Sequence, residues 1–454
     1  MQEVTLSDML DARERRAYEQ QQMLHRYPFP LVSFTMNIAG SVKDSPLIRR
    51  AFGEGVRLFE HKMREANLPI VSGKKSMKFT GCEALWSVCG DAGVIKSLCM
   101  EIEDAAPMGR LFDMDVIAAD GTHQSRQSLE RSSRKCLICD LPGHLCASRR
   151  THPVSEIQFA AQRLMEESLW DQDCHALSQS VSQSLEAEVM TTPKPGLVDR
   201  RNNGSHRDMT VSTFLSSIGA LRGYWMECAA IGRSTRSLAP EESFPPLRRA
   251  GMRAEREMLA ATGNVNTHKG AIFLFGVLCG AWGRLWKAER PCADASALLN
   301  ECAVMTRKTL SAELETLRDS ASATAGHHIF RQYALAGARG EMMNGLPSVL
   351  NISLPALRRA LQAGKNINDA AVIALLHLIA HTDDTNMISR GGVETARRAR
   401  LQTLELLQEN PFPDNAAVCR LDDAFIERNL SPGGCADLLA ATLFLHALES
   451  KNEN

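Results

Sequence analysis

The chain has 454 residues, enough for about two to four domains of ordinary size. Its 52 lysines and arginines balance 53 aspartates and glutamates, and only 5% of its residues are aromatic. Such a chain lacks both the positive field and the stacking surfaces that are typical of nucleic-acid-binding proteins. We therefore expect no nucleic-acid partner.

Further features favour a cytoplasmic protein that does not enter a membrane. The most apolar segment, 271–286, is interrupted by three glycines and Arg284, and it is too short to cross a bilayer. The charged N-terminal segment lacks the apolar core of a signal peptide. The 13 cysteines are odd in number and mostly stand singly in apolar patterns, which is typical of reduced thiols in the cytoplasm.

The N-terminal part, residues 1–170, mixes helical and strand periodicities and is predicted to be an α+β domain. A helix is predicted over 46–67, because Ser45 can cap it and Pro46 suits its first turn. Strands are predicted at 31–38, 95–103 and 110–118, with a hairpin turn at Asp120-Gly121 after the last of them.

From about residue 175 onward the pattern changes. Apolar residues recur at helical spacing without convincing alternation, so residues 171–454 are predicted to form an all-α domain in a multidomain chain. The polar segment 166–173 is expected to lie between two helices and to join the domains. The predicted helices are 175–190, 210–231, 246–261, 270–288, 295–317, 354–363, 368–381, 393–408 and 435–449.

The strand predicted at 110–118 carries two carboxylates, Asp113 and Asp115. Alternate side chains of a strand point to the same face, so both could bind one Mg²⁺ ion. Such an ion neutralises phosphate and stabilises a departing pyrophosphate, as nucleotidyl transfer requires. Two acidic residues on a solvated strand face would give the same pattern.

A cysteine-rich segment follows, in which Cys136, Cys139 and Cys146 are accompanied by His144 and His152. These residue types can bind zinc, but their spacing matches no standard zinc finger. Reduced structural cysteines are the favoured interpretation, and zinc is the alternative. The four arginines nearby could equally form a phosphate-binding surface.

Several of these segments resemble the apo-citrate lyase phosphoribosyl-dephospho-CoA transferase family. They are RLFDMDV (110–116), RKCLIC (134–139), CASRRTH (146–152), ARERR (12–16), PLVSFT (30–35) and NIAG (37–40). The resemblance covers roughly residues 5–165 and implies a nucleotidyltransferase-like sheet. It further implies transfer of a phosphoribosyl-dephospho-CoA group to a serine of the citrate lyase acyl carrier (gamma) subunit, with Asp113 and Asp115 as the catalytic, metal-binding pair. Ala39 stands where the family often has proline, so a rigid turn is expected to be lost.

In the all-α part, polar residues concentrate in three loops between predicted helices. The first loop carries Lys194, Asp199, His206 and Asp208, although a solvated loop could look the same. In the second, His268 and Lys269 open an apolar helix, where backbone amides favour an anion. This second loop is not a Walker A motif, because no strand precedes it and glycine follows the lysine.

The third loop combines carboxylates with an Arg-Gly-Gly sequence, a combination that suits Mg²⁺ bound to a polyphosphate. Alternatively, Asp383 could only cap a helix. The loop contains Asp383, Asp384, Asn386, Arg390, Gly391 and Gly392.

Six segments of the all-α part resemble the triphosphoribosyl-dephospho-CoA synthase family. They are TPKPGLVDR (192–200), NGSHRDM (203–209), VNTHKG (265–270), GARGE (337–341), DTNMISRGG (384–392) and NLSPGGCADLL (429–439). The resemblance implies the reaction of ATP with 3′-dephospho-CoA to give triphosphoribosyl-dephospho-CoA and adenine. Asn264 stands where the family tends to have glycine.

This reaction is a glycosyl transfer, in which the 2′-hydroxyl of dephospho-CoA attacks the ribose C1 of ATP. It needs a base, a donor for adenine and charge stabilisation. Asp208 or Asp384 is the expected base, and His268 or His206 the expected donor. The expected ligands of ATP and its Mg²⁺ are Lys194, Asp199, Asn266, Lys269, Asp383, Asp384, Asn386, Arg390, Gly391 and Gly392.

The sequence therefore predicts a bifunctional transferase that makes and attaches the prosthetic group of citrate lyase. An alternative is the same chemistry serving malonate decarboxylase, whose carrier subunit uses a related group. A more distant alternative is a helical scaffold that carries a zinc module.

Overall fold

The computed structural model describes residues 2–127, 133–292, 294–319 and 325–450. The chain divides into two compact units. Unit 1 comprises Met1–Asp173 and Ala288–Arg290, and unit 2 comprises Cys174–Lys287 and Pro291–Asn454. Within the described ranges, no helix is long and apolar enough to cross a membrane.

Unit 1 is built on a five-stranded antiparallel sheet in the order β2-β3-β1-β4-β5. The strands are β1 (Leu31–Met36), β2 (Ile70–Lys78), β3 (Gly81–Val88), β4 (Phe112–Ile117) and β5 (His123–Gln124). The strands predicted at 31–38 and 110–118 are confirmed. So is the turn that follows β4, because the Ala118 amide donates to the Thr122 carbonyl at 2.8 Å and closes the β4–β5 hairpin.

Four helices accompany the sheet: α1 (Leu6–Arg26), α2 (Pro46–Glu65), α3 (Ala92–Ala105) and α4 (Gly143–Arg149). As predicted, Ser45 caps α2 by accepting the Ile48 amide. The aromatic side of the core lies between β1 and α2, where the rings of Phe34 and Phe52 stack 4.8 Å apart. On the opposite face of the sheet, Leu31, Leu85 and Ile117 form a second cluster that contacts α1.

The strand predicted at 95–103 is wrong, because this segment lies inside helix α3. Asp91 caps the helix by accepting the Val94 amide, and Ile95, Cys99 and Ile102 are buried at the four- and three-residue spacing of one helix face. The β2–β3 hairpin was not predicted. Strand β2 is largely exposed and rich in lysine, so its sequence lacks the alternation that marks a half-buried strand.

The described residues of unit 2 form helices and connecting loops without strands, which confirms the all-α prediction. Its helices are α5 (Val154–Met190), α6 (Val211–Ser234), α7 (Phe244–Ala261), α8 (Lys269–Leu285), α9 (Ala295–Asp319), α10 (Ala325–Tyr333), α11 (Gly337–Met343), α12 (Leu354–Gln362), α13 (Ile367–His381), α14 (Thr385–Gly391), α15 (Val393–Glu409), α16 (Asn415–Glu427) and α17 (Gly433–Ser450). Helix α5 begins within unit 1 and continues without a break through the polar segment 166–173. The sequence predicted that this segment would lie between two helices, and that prediction is wrong.

Helix α8 contains the apolar segment that the sequence analysis identified, and most of its residues are buried. Its glycines permit a close crossing with α6: a Cβ on Gly283 would lie 2.0 Å from the Ala229 carbonyl oxygen, and a Cβ on Gly232 would lie 1.9 Å from that of Gly280. No side chain fits at such distances. The glycines that interrupt segment 271–286 therefore allow α8 to pack closely against its neighbours. The N-terminus of α8 lies among the polar loops of unit 2.

Candidate active sites

In unit 1, Asp113 and Asp115 project from the same face of β4, opposite the buried Phe112, Met114 and Val116. Burial raises the pKa of Asp113, and the neighbouring Asp115 carboxylate raises it further, while the Arg134 guanidinium lowers it. The two carboxylates therefore repel each other across a short distance. A divalent cation between them would relieve that repulsion.

Helix α1 brings basic and amide groups to this same face of the sheet. Glu83 of β3 lies in register with Asp113 across β1. Arg16 donates to Glu83 Oε1 through Nη2 at 2.7 Å and through Nε at 3.1 Å, and Gln20 donates to Ser33 Oγ at 3.0 Å. The aspartate face is thus an acidic surface bordered by Arg16 and Gln20 of α1.

A buried polar network fixes the outer edge of β4, beyond the reach of the short strand β5. The Met114 amide donates to Glu103 Oε1 at 2.8 Å, and Arg126 donates to Glu103 Oε2 at 2.8 Å. Arg134 also pairs with Glu103, and it donates to the Phe112 carbonyl at 2.6 Å. This network satisfies backbone groups that no strand pairs, and so holds the strand that carries the two aspartates.

In unit 2, the first polar loop is occupied largely by its own hydrogen bonds. Lys194 is buried and donates to Glu188 Oε1 at 2.5 Å and to the Glu188 carbonyl at 2.7 Å. Asp199 accepts the amides of Lys194, Arg201 and Asn202 at 2.7–3.1 Å. Asp199 therefore closes its loop, and the charge of Lys194 is neutralised by Glu188.

His206 and Arg390 hold this loop against the segment that precedes α17. His206 Nε2 shares a hydrogen bond of 2.8 Å with Ser431 Oγ, and burial together with Arg390 lowers the pKa of this histidine. The Arg390 guanidinium donates to the Ser205 carbonyl and, at 2.8 Å, to Asn429 Oδ1. Asp208, the remaining predicted residue here, is exposed.

His268 is buried at the start of α8, beneath the second loop. Its Nδ1 shares a hydrogen bond of 2.7 Å with Ser217 Oγ, and its Nε2 has no hydrogen-bond partner among the described residues. Burial, together with the Lys194 charge, lowers the pKa of His268 to about 3. His268 is therefore a neutral imidazole at physiological pH, able to donate or accept a hydrogen bond but not to act as a cationic acid.

Asp384 caps helix α14. Its Oδ1 accepts the amides of Asn386 at 2.8 Å and Met387 at 3.1 Å, and its Oδ2 accepts the Cys435 amide at 2.8 Å. Burial nevertheless raises its pKa. The cap that the sequence considered for Asp383 is thus formed by Asp384, while Asp383 pairs with Arg400.

The glycines and the asparagine of the third loop shape its backbone. A Cβ on Gly391 would lie 2.4 Å from a Leu430 methyl carbon, and Gly392 ends α14 with φ of +78°. The Asn386 Nδ2 atom lies against Gly433, where a Cβ would approach it to 2.9 Å. These positions keep the loop close to the segment before α17.

Asp437 is the carboxylate that sequence reasoning overlooked, although it stands in a segment that carries the family resemblance. Burial raises its pKa well above the ordinary value, and the Glu188 and Asp384 carboxylates raise it further. The Ala271 amide at the start of α8 donates a hydrogen bond to it, which lowers the pKa in part. We call Glu188, Asp384 and Asp437 the carboxylate cluster.

Two members of the carboxylate cluster, Asp384 and Asp437, lie in the wall of a cavity of about 310 Å³ together with Asp383 and Glu341. Glu341 was not predicted either. Its carboxylate accepts the hydroxyl of Ser348 at 2.6 Å, and burial raises its pKa.

A second cavity, of about 340 Å³, is mainly apolar and has Lys269 and Gly270 in its wall. Ala338 borders both cavities, and a Cβ on Gly270 would lie 1.9 Å from Asp437 Oδ2. Asn266 accepts the Lys269 amide at 3.3 Å, and Lys269 Nζ pairs with Glu255 at 2.5 Å. The second and third loops thus meet at Asp437.

Comparison with known proteins agrees with both resemblances. The family model described as ATP:dephospho-CoA triphosphoribosyl transferase (CitG) matches residues 174–454. The family model described as apo-citrate lyase phosphoribosyl-dephospho-CoA transferase (CitX) matches residues 4–168. The chain is 33% identical to "Protein CitXG" of Haemophilus influenzae over 97% of its own length and 96% of that protein. This chain belongs to the CitXG family.

Two other relatives support the same conclusion. "Protein CitXG" of Leuconostoc mesenteroides is 32% identical over 98% of this chain and 97% of that protein. A "2-(5''-triphosphoribosyl)-3'-dephosphocoenzyme-A synthase" of Pectobacterium atrosepticum is 43% identical over 60% of this chain and 88% of that protein. The chain is therefore a bifunctional transferase of the citrate lyase prosthetic-group pathway. A scaffold without activity does not fit these matches, and the malonate decarboxylase alternative is not favoured.

Proposed function

We propose that unit 2 converts ATP and 3′-dephospho-CoA into 2′-(5″-triphosphoribosyl)-3′-dephospho-CoA and adenine. Unit 1 then transfers the phosphoribosyl-dephospho-CoA group to a serine of the citrate lyase acyl carrier (gamma) subunit and releases pyrophosphate. The observation that carries the first assignment is the convergence of four resembling segments. Three of them contribute Glu341, Asp384 and Asp437 to the wall of one cavity, and the fourth contributes Gly270, which lies against Asp437.

The carboxylate cluster supports a Mg²⁺ site in unit 2. The Glu188 and Asp384 carboxylates raise the pKa of Asp437, so a cation bound beside Asp437 would be favoured by the repulsion it removes. We assign Asp384 and Asp437 as metal ligands, with Asp383 at the rim because Arg400 already pairs with it. A bound Mg²⁺ ion would neutralise triphosphate oxygens.

The N-terminus of α8 supports a phosphate site beside that metal. Lys269 is more than half exposed, so its bond to Glu255 can exchange for a phosphate oxygen at little cost. The adjoining apolar cavity provides surface for a base or for the pantetheine part of dephospho-CoA. Arg390, Asp199 and Lys194 would then position the loops, because their polar atoms are already bonded within the protein.

Glycosyl transfer also requires groups at the reacting atoms. The base for the 2′-hydroxyl would be the oxygen of Asp384 or Asp437 that does not bind the metal, because both carboxylates lie in the cavity wall. His268 would act through hydrogen bonding, since its imidazole stays neutral. His206 and Asp208 are less suited to the chemistry, because His206 is bonded to Ser431 and Asp208 is exposed.

For unit 1, the sheet face with Asp113 and Asp115 supports metal-assisted nucleotidyl transfer on a nucleotidyltransferase-like sheet. The two carboxylates would hold Mg²⁺, which stabilises the departing pyrophosphate. Arg16 of α1 would lie beside the transferred phosphate. The serine hydroxyl of the carrier would attack the phosphorus that remains attached to ribose.

The two activities can be assayed separately. Incubation with ATP, Mg²⁺ and dephospho-CoA should release adenine, measured by chromatography. Purified triphosphoribosyl-dephospho-CoA should label the apo-carrier subunit, measured by mass spectrometry. No adenine under any Mg²⁺ concentration would refute the first assignment, and an unlabelled carrier would refute the second.

We further propose residues 1–170 and 171–454 as the functional domains, acting in the cytoplasm. A fragment 175–454 keeps most of the unit 2 part of α5, including the buried residues Leu177, Val181 and Leu185. It should therefore fold and release adenine. A folded but inert fragment, beside an active full chain, would show that unit 2 depends on residues before the cut.

A further inference from the structure

Four metal-ligand side chains of unit 1 meet outside both candidate active sites. Ligand atoms of Cys136, Cys139, Cys146 and His152 all lie within 4.8 Å of one another. Cys139 Sγ lies 3.4 Å from Cys146 Sγ and 3.2 Å from His152 Nε2. A tetrahedral zinc site with Zn–S bonds of about 2.3 Å would place its sulfurs about 3.8 Å apart, inside the range seen here.

The sequence did not favour zinc, because its spacing matches no standard finger. Six residues separate Cys139 from Cys146, and five separate Cys146 from His152. The structure shows how this spacing works: Cys146 lies on helix α4, which ends at Arg150 with φ of +49°. This left-handed residue reverses the chain and returns His152, not His144, to the three thiols.

Backbone amides are directed at the sulfur of the first cysteine. The Cys136 amide donates to the Leu141 carbonyl at 2.8 Å and so closes the turn that carries Cys136 and Cys139. The amides of Ile138 and Cys139 donate to the Cys136 sulfur. Backbone amides directed at a sulfur stabilise the thiolate form, which is the form that binds metal.

The histidine presents its Nε2 atom to the cysteines. Nε2 lies 3.2 Å from Cys139 Sγ, while Nδ1 lies 4.0 Å from a carboxylate oxygen of Glu156 in the first turn of α5. The second distance is too long for a hydrogen bond. The position of Nε2 therefore makes His152 the fourth candidate ligand.

We propose that unit 1 binds one structural Zn²⁺ ion through Cys136 Sγ, Cys139 Sγ, Cys146 Sγ and His152 Nε2. Binding releases the three thiol protons and leaves a complex with one net negative charge. Four protein ligands leave no open position for a substrate, so the ion is structural.

The zinc site fixes the segment that forms a basic cavity beside β4. This cavity has a volume of about 470 Å³, and its wall includes Arg110, Arg126, Arg134 and Lys135. Arg110 donates to the Cys136 carbonyl, and Arg134 donates to the Phe112 carbonyl. Loss of the ion should therefore disturb unit 1 while leaving the chemistry of unit 2 intact.

The test measures metal content of the full-length chain, purified under reducing conditions after growth with zinc. We expect one zinc per chain by inductively coupled plasma mass spectrometry. The Cys139→Ser and His152→Ala variants should lose most of this zinc. Cys89→Ser is the matched control, because Cys89 is also partly exposed, lies in unit 1 and stands outside the cluster. It should keep its zinc.

Two functional readouts accompany the metal analysis. Adenine release should be unchanged in both zinc-site variants, whereas labelling of the carrier should fall. If the variants do not fold, the wild-type protein still decides the question, through its zinc content and through zinc release when its thiols are blocked. Three results would overturn the proposal. They are a wild-type chain without zinc, a disulfide between Cys139 and Cys146 in protein purified under reducing conditions, and full zinc retention by both variants.

Discussion

Substitution of Gly270 by alanine offers a direct test of Asp437, because the added methyl group would collide with this carboxylate and with little else. The new Cβ would lie 1.9 Å from Asp437 Oδ2, whereas ordinary van der Waals contact begins at 3.4 Å. The carboxylate must therefore move by about 1.5 Å, the difference between these distances. A misplacement of about 1 Å in a reacting or metal-binding group can lower the rate about 100-fold.

The same substitution should not unfold the chain. The colliding atom is the end of a side chain that can rotate, and alanine favours helix over glycine by up to about 1 kcal/mol. Gly270 lies in the first turn of α8, so the gain there is at the lower end. The melting temperature of Gly270→Ala should stay equal to the wild-type value or rise slightly.

Gly219→Ala is the matched control, because Gly219 lies in helix α6 and a Cβ there would contact nothing within 4 Å. It should raise the melting temperature by about 2–4 °C, the shift expected for about 1 kcal/mol, and leave catalysis unchanged. The assay is adenine release against Mg²⁺ concentration, with thermal unfolding measured in parallel. If Gly270→Ala releases adenine at the wild-type rate with the wild-type Mg²⁺ dependence, Asp437 does not belong to the site.

Three more predictions follow from the described contacts. Asp113→Asn and Asp115→Asn should each lower carrier labelling by about 100-fold or more, a loss of several kcal/mol of charge stabilisation, while adenine release continues; normal labelling would reduce the pair to a solvated strand face. Asp384 and Asp437 of the carboxylate cluster have raised pKa values in the folded protein. Without metal, their contribution to the free energy of unfolding is therefore present below the ordinary aspartate pKa of about 3.8. It is lost as the pH rises through the raised pKa values of the folded state. Mg²⁺ should oppose that loss, and the Mg²⁺ concentration that half-saturates adenine release should rise as pH falls; a half-saturation that does not depend on pH would contradict this. Lys194→Ala should destabilise unit 2 by about 3–5 kcal/mol in urea unfolding, because Glu188 would be left buried without its cation, and the double variant with Glu188→Ala should lose less than the sum of the two single variants.

The fold of the chain was accessible from sequence where one periodicity dominates. Helix α2 has a capping serine, a proline in its first turn and an amphipathic pattern, and all three were visible in the sequence. Helix α3 was misassigned because its apolar residues are dense enough to satisfy a strand pattern as well as a helical one. The continuity of α5 through a polar segment could not be inferred, because exposed polar residues are compatible with both a helix and a linker.

The candidate sites were accessible from sequence only in part. Charged loop residues were identified, but some of their partners lie far along the chain, as with His206 and Ser431, or Arg390 and Asn429. A sequence shows which residues carry charge but not which charges are already satisfied. The fourth ligand of the cysteine cluster was ambiguous for the same reason, since only the left-handed turn at Arg150 selects His152.

Buried carboxylates in unit 2 separate into two kinds, and the distinction points to the site. Asp422 accepts hydrogen bonds from the Gly196 amide at 2.8 Å and from Asn202 Nδ2 at 2.8 Å, and it pairs with Arg201. Such a carboxylate is fully compensated within the protein, and its role is to hold the loop.

Asp437 is not compensated in this way. Its hydrogen bond among the described residues comes from the Ala271 amide alone, and the Glu188 and Asp384 carboxylates raise its pKa, although Lys194 pairs with Glu188. Like charges held together in a buried site are unfavourable in the isolated protein, and this arrangement supports the proposed cation site. Because Mg²⁺ accompanies the triphosphate and provides such a cation, the same imbalance that destabilises the empty cluster supports its assignment as the site of adenine release.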